Sequence, residues 1–318
     1  MKKKSISYAK WGYIFLIPFF VVYIVFSLVP LIQTFYYGFL DYTVSQGSVA
    51  SIRGGSGAAD NIIDNGFCGL DNFKTVLTGD GDIFTASLKN TMILWIIGFI
   101  PQIVMSLLLA VWFTDIRLKL KAQGFFKTVI YLPNVIMASA FSLLFYNLFT
   151  RGGTIDELLG GVQMLENANG SRIVVGIINF MMWYGNTTIL LMASIMGIDT
   201  SLYESAQIDG ASPSQTFWQI TIPLIKPIFA YVLVTSMIGG LQMYDVPYII
   251  GGKGGGPNTV LMTLVSQIQL GKNSSVGKVA ALSVLVFIVS AILGFITLKV
   301  MEDDTVKTRY GKKKKKKA

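Results

Sequence analysis

Polarity along the chain comes in long apolar blocks separated by shorter polar pieces. Six blocks stand out: about Trp11 to Leu31, Ala86 to Phe113, Phe125 to Phe149, Ile173 to Ile198, Leu224 to Ile250 and Val276 to Val300. Each approaches or exceeds the roughly 20 residues a helix needs to cross a bilayer. The pattern therefore predicts an all-α membrane protein with six transmembrane helices. Blocks longer than ~20 residues permit tilt but fix no angle. Pro18, Pro101, Pro133 and Pro247 fall inside the blocks. Each removes a backbone donor and marks a place where a span can kink.

The longest polar piece is about Asp41 to Thr85. Its middle, SQGSVASIRGGSGAADNIIDNG, is rich in Gly, Ser and Ala and reads as flexible. FCGLDNFKTVL follows, with apolar residues at Phe67, Leu70, Phe73 and Leu77. That spacing fits a short amphipathic helix on the outer surface, and equally a loop with incidental periodicity. A later loop, GGKGGGPNT at 251–259, lacks the G-x-x-x-x-G-K-[ST] pattern of a phosphate-cradling loop and reads as a mobile or tightly turning loop.

Composition agrees with the membrane reading. Of 318 residues, 53% are hydrophobic and only 14% charged, where a soluble domain carries about a quarter charged residues. Cys68 is the one cysteine and histidine is absent, which excludes an internal disulfide and argues against a zinc site or a histidine base. The net charge of +9 is distributed as for a membrane rather than for nucleic acid. Lys2, Lys3, Lys4, Lys10, Arg117, Lys119, Lys121, Lys127, Lys226, Lys299, Lys307, Arg309 and Lys312 to Lys317 share one side of the six-span topology, 18 of the 26 basic residues. By the positive-inside rule that side is cytoplasmic, with both termini on it. The N-terminal apolar run is too long for a signal peptide and no A-x-A site follows it, so it is expected to remain as the first span. The expected organisation is a cytoplasmic N-terminus (1–10), a membrane domain (11–301) and a basic tail (302–318). GKKKKKKA at the end either touches anionic lipid or is idle.

One polar piece looks built. YESAQIDGASPSQTFWQITIP, Tyr203 to Pro223, falls on the cytoplasmic side between the fourth and fifth blocks. Ser201 and Glu204 have capping-box spacing, and so do Ser212 and Gln215, with Pro213 at the first helical position. Gly210 can supply a left-handed stop between the two helices. Ala206 and Gly210, four apart, would leave the backbone open to another protein, while Phe217, Trp218, Ile220 and Ile222 pack back on the membrane domain. The physics equally allows an ordinary interfacial hairpin.

Glu204-Ser205-Ala206, three residues, Gly210, nine residues, then Ile220-Thr221-Ile222-Pro223 resembles the E-A-A-x3-G-x9-I-x-L-P loop of ABC-importer permeases. Ser205 and Ile222 depart mildly from it. LYESAQIDGAS, FCGLDNF, MYDVPYIIGGKGGGPNT and VGKVAALSVLVF resemble segments of the maltose-type, carbohydrate-uptake branch, so the resemblance spans nearly the whole chain. It implies a type I ABC-importer permease fold in a bacterial cytoplasmic membrane. It also implies a second related permease, two copies of a cytoplasmic ATPase and an extracytoplasmic solute-binding protein. The chain itself would hold no cofactor; ATP and Mg would sit in the partner ATPase. Glu204, Ser205, Ala206, Asp209 and Gly210 would seat in the ATPase and couple it to transport. A carbohydrate path would use Trp183, Gly185, Asn186 and Thr188 of the fourth span with Gln242, Tyr244 and Asp245 of the fifth. Aromatic faces and neutral hydrogen-bonding groups suit a sugar; the same residue types also glue helices together or anchor interfaces. An ion-coupled secondary transporter would want acids or histidines inside the spans. Acids there are nearly absent, and no internal repeat is visible. No nucleophile–base constellation points to an enzyme.

Overall fold

The computed structural model describes residues 9–45, 61–78, 83–115, 121–251, 260, 262 and 273–315. Helix dominates. Five helical stretches are long and apolar enough to cross a membrane: Trp11–Tyr37, Phe84–Thr114, Ala168–Met196, Pro213–Leu241 and Val276–Lys299. A sixth is a bent pair, Gln123–Val135 and Ala138–Phe149, whose halves meet at 90°. Large apolar side chains such as Phe15 (78% exposed) and Phe26 (74%) cover the first of them, the surface expected where lipid tails replace a packed neighbour.

In chain order the helices are α1 (Ala9–Tyr23), α2 (Val29–Tyr37), α3 (Asp71–Thr78), α4 (Ile83–Thr114), α5 (Gln123–Val135) and α6 (Ala138–Phe149). They continue with α7 (Thr154–Leu158), α8 (Ala168–Met196), α9 (Thr200–Ile208), α10 (Pro213–Thr216), α11 (Ile222–Leu241), α12 (Asp245–Ile250) and α13 (Val276–Lys315). The strands are β1 (Leu40–Ser45), β2 (Asn61–Phe67) and β3 (Asn273–Ser275).

Two spans differ from the sequence expectation. The third is broken rather than continuous: Ile136 and Met137 are extended, with ψ of 134° at each. Pro133 lacks the N–H that would hold the last turn of α5, and the Ile136 N–H closes instead on the Pro133 carbonyl at 3.3 Å. The fifth stops at Leu241 rather than Ile250. Gly239 and Gly240 weaken its end, and Gln242 to Tyr244 interrupt it before α12 restarts. Pro247 lies in the first turn of α12, where its missing donor is one of the orphans.

The chain divides into two compact units, Met1–Ile83 with Val265–Phe287, and Phe84–Leu264 with Ile288–Ala318. The first unit holds a small sheet of order β2-β1-β3, antiparallel throughout, with Tyr42 opposite Asp64 and Thr43 opposite Ser275. The helix expected after Cys68 is present as α3, but not seated by its apolar stripe. Phe67 is 77% exposed, and Leu70 and Leu77 are exposed too. The seat is Asn72, buried, whose amide donates to the carbonyls of Gly38 (3.1 Å) and Leu40 (2.8 Å). Phe73 joins it by packing its ring against Phe39.

In the second unit two apolar clusters form the core. One gathers Leu94, Phe141, Phe145, Val174, Ile178 and Ile250; the other Phe99, Leu191, Met192, Ile225 and Val232. Polar bonds lock the same helices. Gln102 Nε2 donates to Thr187 Oγ1 (2.8 Å) and Ser106 Oγ to the Tyr184 carbonyl (2.8 Å), tying α4 to α8. Asn134 Nδ2 donates to the Met182 carbonyl (3.1 Å), tying α5 to α8, and Trp95 Nε1 to Ser236 Oγ (3.1 Å), tying α4 to α11. In an apolar medium such bonds and close packing hold helices together. The basic tail, expected as solvated chain, continues α13 as helix to Lys315. Residues 316–318 and the glycine-rich loop at 252–259 lie outside the described residues.

Candidate solute cavity and coupling hairpin

A cavity of about 500 Å³ opens inside the second unit. Its walls come from α4 (Trp95, Gly98, Gln102), α8 (Asn179, Trp183, Asn186), α11 (Tyr231, Thr235, Ser236), the interruption that follows (Gln242, Tyr244) and the start of α12 (Asp245). Broken helix is tolerated in a membrane protein where it lines such a cavity. Here the interrupting residues Gln242, Met243 and Tyr244 all line the cavity. Among the described residues Asp245 is the one carboxylate in the wall, and no lysine or arginine joins it. The remaining polar groups are amides, hydroxyls and indoles.

Five of the seven path residues expected from sequence meet there: Trp183, Asn186, Gln242, Tyr244 and Asp245. Gly185 and Thr188 do not. They project from a different face of α8, since residues three and four apart share a helix face and 185 and 188 fall between 183, 186 and 190. A Cβ at Gly185 would lie 2.1 Å from the Ile130 carbonyl oxygen, so this glycine lets α5 approach α8. Thr188 is 1% exposed and its hydroxyl donates to the Tyr184 carbonyl at 2.7 Å. Both are packing residues.

The structure adds wall residues that were not expected: Trp95, Gln102, Asn179, Tyr231, Thr235 and Ser236. Gln102, Asn179 and Ser236 carried a signal, being polar inside apolar blocks. Trp95 carried none; its indole lies against Gly240, where a Cβ would sit 2.4 Å from Cδ1. Asn179 is distinctive. Among the described residues its Nδ2 is a buried donor with no partner, a state that costs about 1–3 kcal/mol.

The polar hairpin takes the predicted form of helix, glycine turn, helix, with one change at its start. Asp199, not Ser201, caps α9: its Oδ1 accepts from the Ser201 N–H at 3.0 Å. That backbone bond, and then the Ser201 side chain, hold the Asp199 carboxyl below its ordinary pKa. Ser201 and Glu204 therefore form no capping box. At the other end Gly210 is left-handed (φ 72°). Ala211 N–H bonds the Ala206 carbonyl (2.9 Å) and Gly210 N–H that of Gln207 (3.1 Å), the paired bonds of a Schellman stop. Ser212 and Gln215 form the expected reciprocal box with Pro213 at its start. A π-helical turn, Phe217–Thr221, then joins α10 to α11 without a break in the helix.

Glu204, Ser205, Asp209 and Gly210 are exposed on this hairpin. Ala206 is buried, so it is not part of an open face. Trp218, expected to pack inward, is 64% exposed, and Ile208 is 87% exposed beside Gly210.

Residues 164–305 match the family model described as a binding-protein-dependent transport system inner membrane component. The probable ABC transporter permease protein YurN of Bacillus subtilis is 30% identical over 244 residues, 73% of this chain and 82% of its own. The chain belongs to the permease subunits of ABC transporters. The permease is also 27% identical over 297 residues to the multiple sugar-binding transport system permease protein MsmF of Streptococcus mutans, covering 91% of this chain and 94% of that one. A chain of the bacterial ABC transporter involved in import of the acidic polysaccharide alginate shares its fold, with TM-score 0.73 at 20% identity, covering 92% of the permease and 95% of the other chain. The permease is thus a multi-pass membrane protein with the fold of an ABC-importer permease.

Proposed function

We propose that this permease forms half of the translocation path of an ATP-driven carbohydrate importer. It pairs with a second, related permease. Two copies of a cytoplasmic ATPase and an extracytoplasmic solute-binding protein complete the complex, in a bacterial cytoplasmic membrane with both termini of this chain cytoplasmic. ATP and Mg are held by the ATPase, and no ATP chemistry belongs to this chain.

The observation that carries this reading is the cavity wall. Indole and phenol faces alternate with amides and hydroxyls, and Asp245 alone bears charge. Ring stacking and neutral hydrogen bonds suit a polyhydroxylated ring, while an anion would meet no cation. Asn179, whose Nδ2 is a buried donor with no partner among the described residues, adds a further amide to the wall. The exposed Glu204, Ile208 and Gly210 surface offers an acid, an apolar knob and a tight turn to the ATPase. Trp183, Asn186, Gln242, Tyr244 and Asp245 are the residues assigned to the solute. Several relatives are described as sugar permeases, including the lactose transport system permease protein LacF of Rhizobium radiobacter, which agrees with this assignment.

The test is co-expression with the neighbouring transport genes. The tagged permease alone hydrolyses no ATP, and the complex it captures does. Hydrolysis by the isolated chain contradicts the reading.

A further inference from the structure

Movement of a docked ATPase must reach the cavity wall through this chain. The coupling helix α9 is joined covalently to α10 only by the turn at 209–212, whose left-handed glycine is a poor lever. One side-chain bridge bypasses that turn. The Tyr203 hydroxyl lies 3.1 Å from Thr221 Oγ1, eighteen residues on in sequence. Thr221 is 5% exposed and stands at the last position of the π-helical turn. Its hydroxyl also reaches the Thr216 carbonyl at 3.5 Å, and either hydroxyl of the Tyr203–Thr221 pair can donate to the other. From Thr221 the helix runs unbroken to Leu241 and carries Tyr231, Thr235, Ser236, Gly239 and Gly240 along the cavity.

We infer that Tyr203 and Thr221 form the strut that transmits motion of the coupling helix to the cavity-lining helix α11. This rests on the coupling reading above. π-turns are frequent at functional positions because the extra residue can be gained or lost by a small register change. A hydrogen bond anchored inside that turn links the register of α11 to the position of α9. Tyr203 is a positioning residue; it touches neither solute nor nucleotide.

The experiment reads the cavity directly. Cys68→Ser removes the one cysteine, and Gly239→Cys places a reporter on the wall, where an added Cβ meets no heavy atom within 4 Å. The complex is purified from co-expressed subunits and labelled with a polar maleimide, with and without a non-hydrolysable ATP analogue. In the otherwise unaltered reporter complex, nucleotide changes the labelling rate. Tyr203→Phe and Thr221→Val each shrink that change about fivefold, the scale of one hydrogen bond. The double variant does no more than either alone, because the two side chains act through each other. Thr221→Ser, which keeps the hydroxyl, retains the response. ATPase co-purifies equally with all four. A full response in Tyr203→Phe with normal assembly overturns the strut and leaves coupling intact. A lowered ATPase yield with an unchanged response per assembled complex assigns the bond to stability alone and also overturns the strut. No nucleotide effect in the unaltered reporter complex sinks the coupling reading and the strut together.

Discussion

At single positions the fourth span separates packing residues from those that line the cavity. Gly185 faces the α5 backbone and Asn179 faces the cavity, six residues apart on one helix. Gly185→Leu forces the two helices apart. Overpacking of this kind costs about 1–3 kcal/mol, seen as a lower midpoint of thermal unfolding in detergent. Asn179→Leu removes a buried donor that has no partner, so thermal stability stays level or rises. Solute uptake nevertheless falls, because the cavity loses a hydrogen bond it offers to the solute. Normal uptake in Asn179→Leu would return this residue to packing. On the coupling hairpin the substitutions are graded. Gly210→Ala meets no neighbour but must hold a left-handed backbone (φ 72°), at about 1–2 kcal/mol, and it reduces coupling mildly. Gly210→Trp adds a bulk that collides with the docked ATPase and abolishes it. Glu204→Ala loses one exposed charge and has a small effect, roughly the scale of a surface ion pair at up to about 1 kcal/mol. Glu204→Lys sets like charges together and is worse. Uptake measured beside ATPase co-purification ranks the four, and an order with Glu204→Ala more damaging than Gly210→Trp contradicts the docking geometry.

At the scale of elements, the hairpin from Asp199 to Pro223 is a pair of helices stopped and started by local chemistry. Ser212→Ala deletes the reciprocal box at α10, worth about 1 kcal/mol. Peptides containing Gln215 are expected to exchange backbone hydrogen about fivefold faster by mass spectrometry, while α8 peptides do not change. This element was legible in the sequence because its stop and start signals are local: Gly210, Ser212, Pro213 and Gln215 act on their own backbone neighbours. The start at Asp199 was missed because Asp199 and Ser201 are both good caps, and only the actual φ/ψ at 199 decides between them. The spans were legible from length and apolarity, yet two breaks were not placed. Pro133 marks the region of the α5–α6 break, but proline inside α4 (Pro101) leaves that helix continuous, so residue type alone does not locate a bend. The β2-β1-β3 sheet was invisible because β3 lies more than two hundred residues from its partner β1, and nothing local announces a pairing at that separation. The cavity was half legible. Polar and aromatic residues in spans four and five named five of its wall residues, but α4's contribution depends on helix packing that no periodicity encodes.

For the whole molecule, the decisive point is that the second unit brings an aromatic cavity, with Asp245 as its one charged side chain among the described residues, and an exposed hairpin onto one continuous helix, Pro213–Leu241. In the role proposed above, the permease does no chemistry on the solute. The proposed role is a two-state path whose balance is biased by a partner's nucleotide state, and such a bias requires contacts that differ between the states. A wall that holds the Asp245 carboxylate and, among the described residues, no cation predicts that uncharged carbohydrates outcompete uronates and sugar phosphates of similar size. Competition against the transported sugar measures this, and stronger competition by a uronate contradicts it. The most direct measurement is ATP-driven accumulation by the complete complex in proteoliposomes with its solute-binding protein. Labelled neutral carbohydrates are offered singly, with ATP on the ATPase side. The account predicts that at least one carbohydrate enters and stimulates hydrolysis, and that Gly210→Trp in this chain abolishes both. Entry at the same rate without ATP, or undiminished transport by the Gly210→Trp complex, would contradict it.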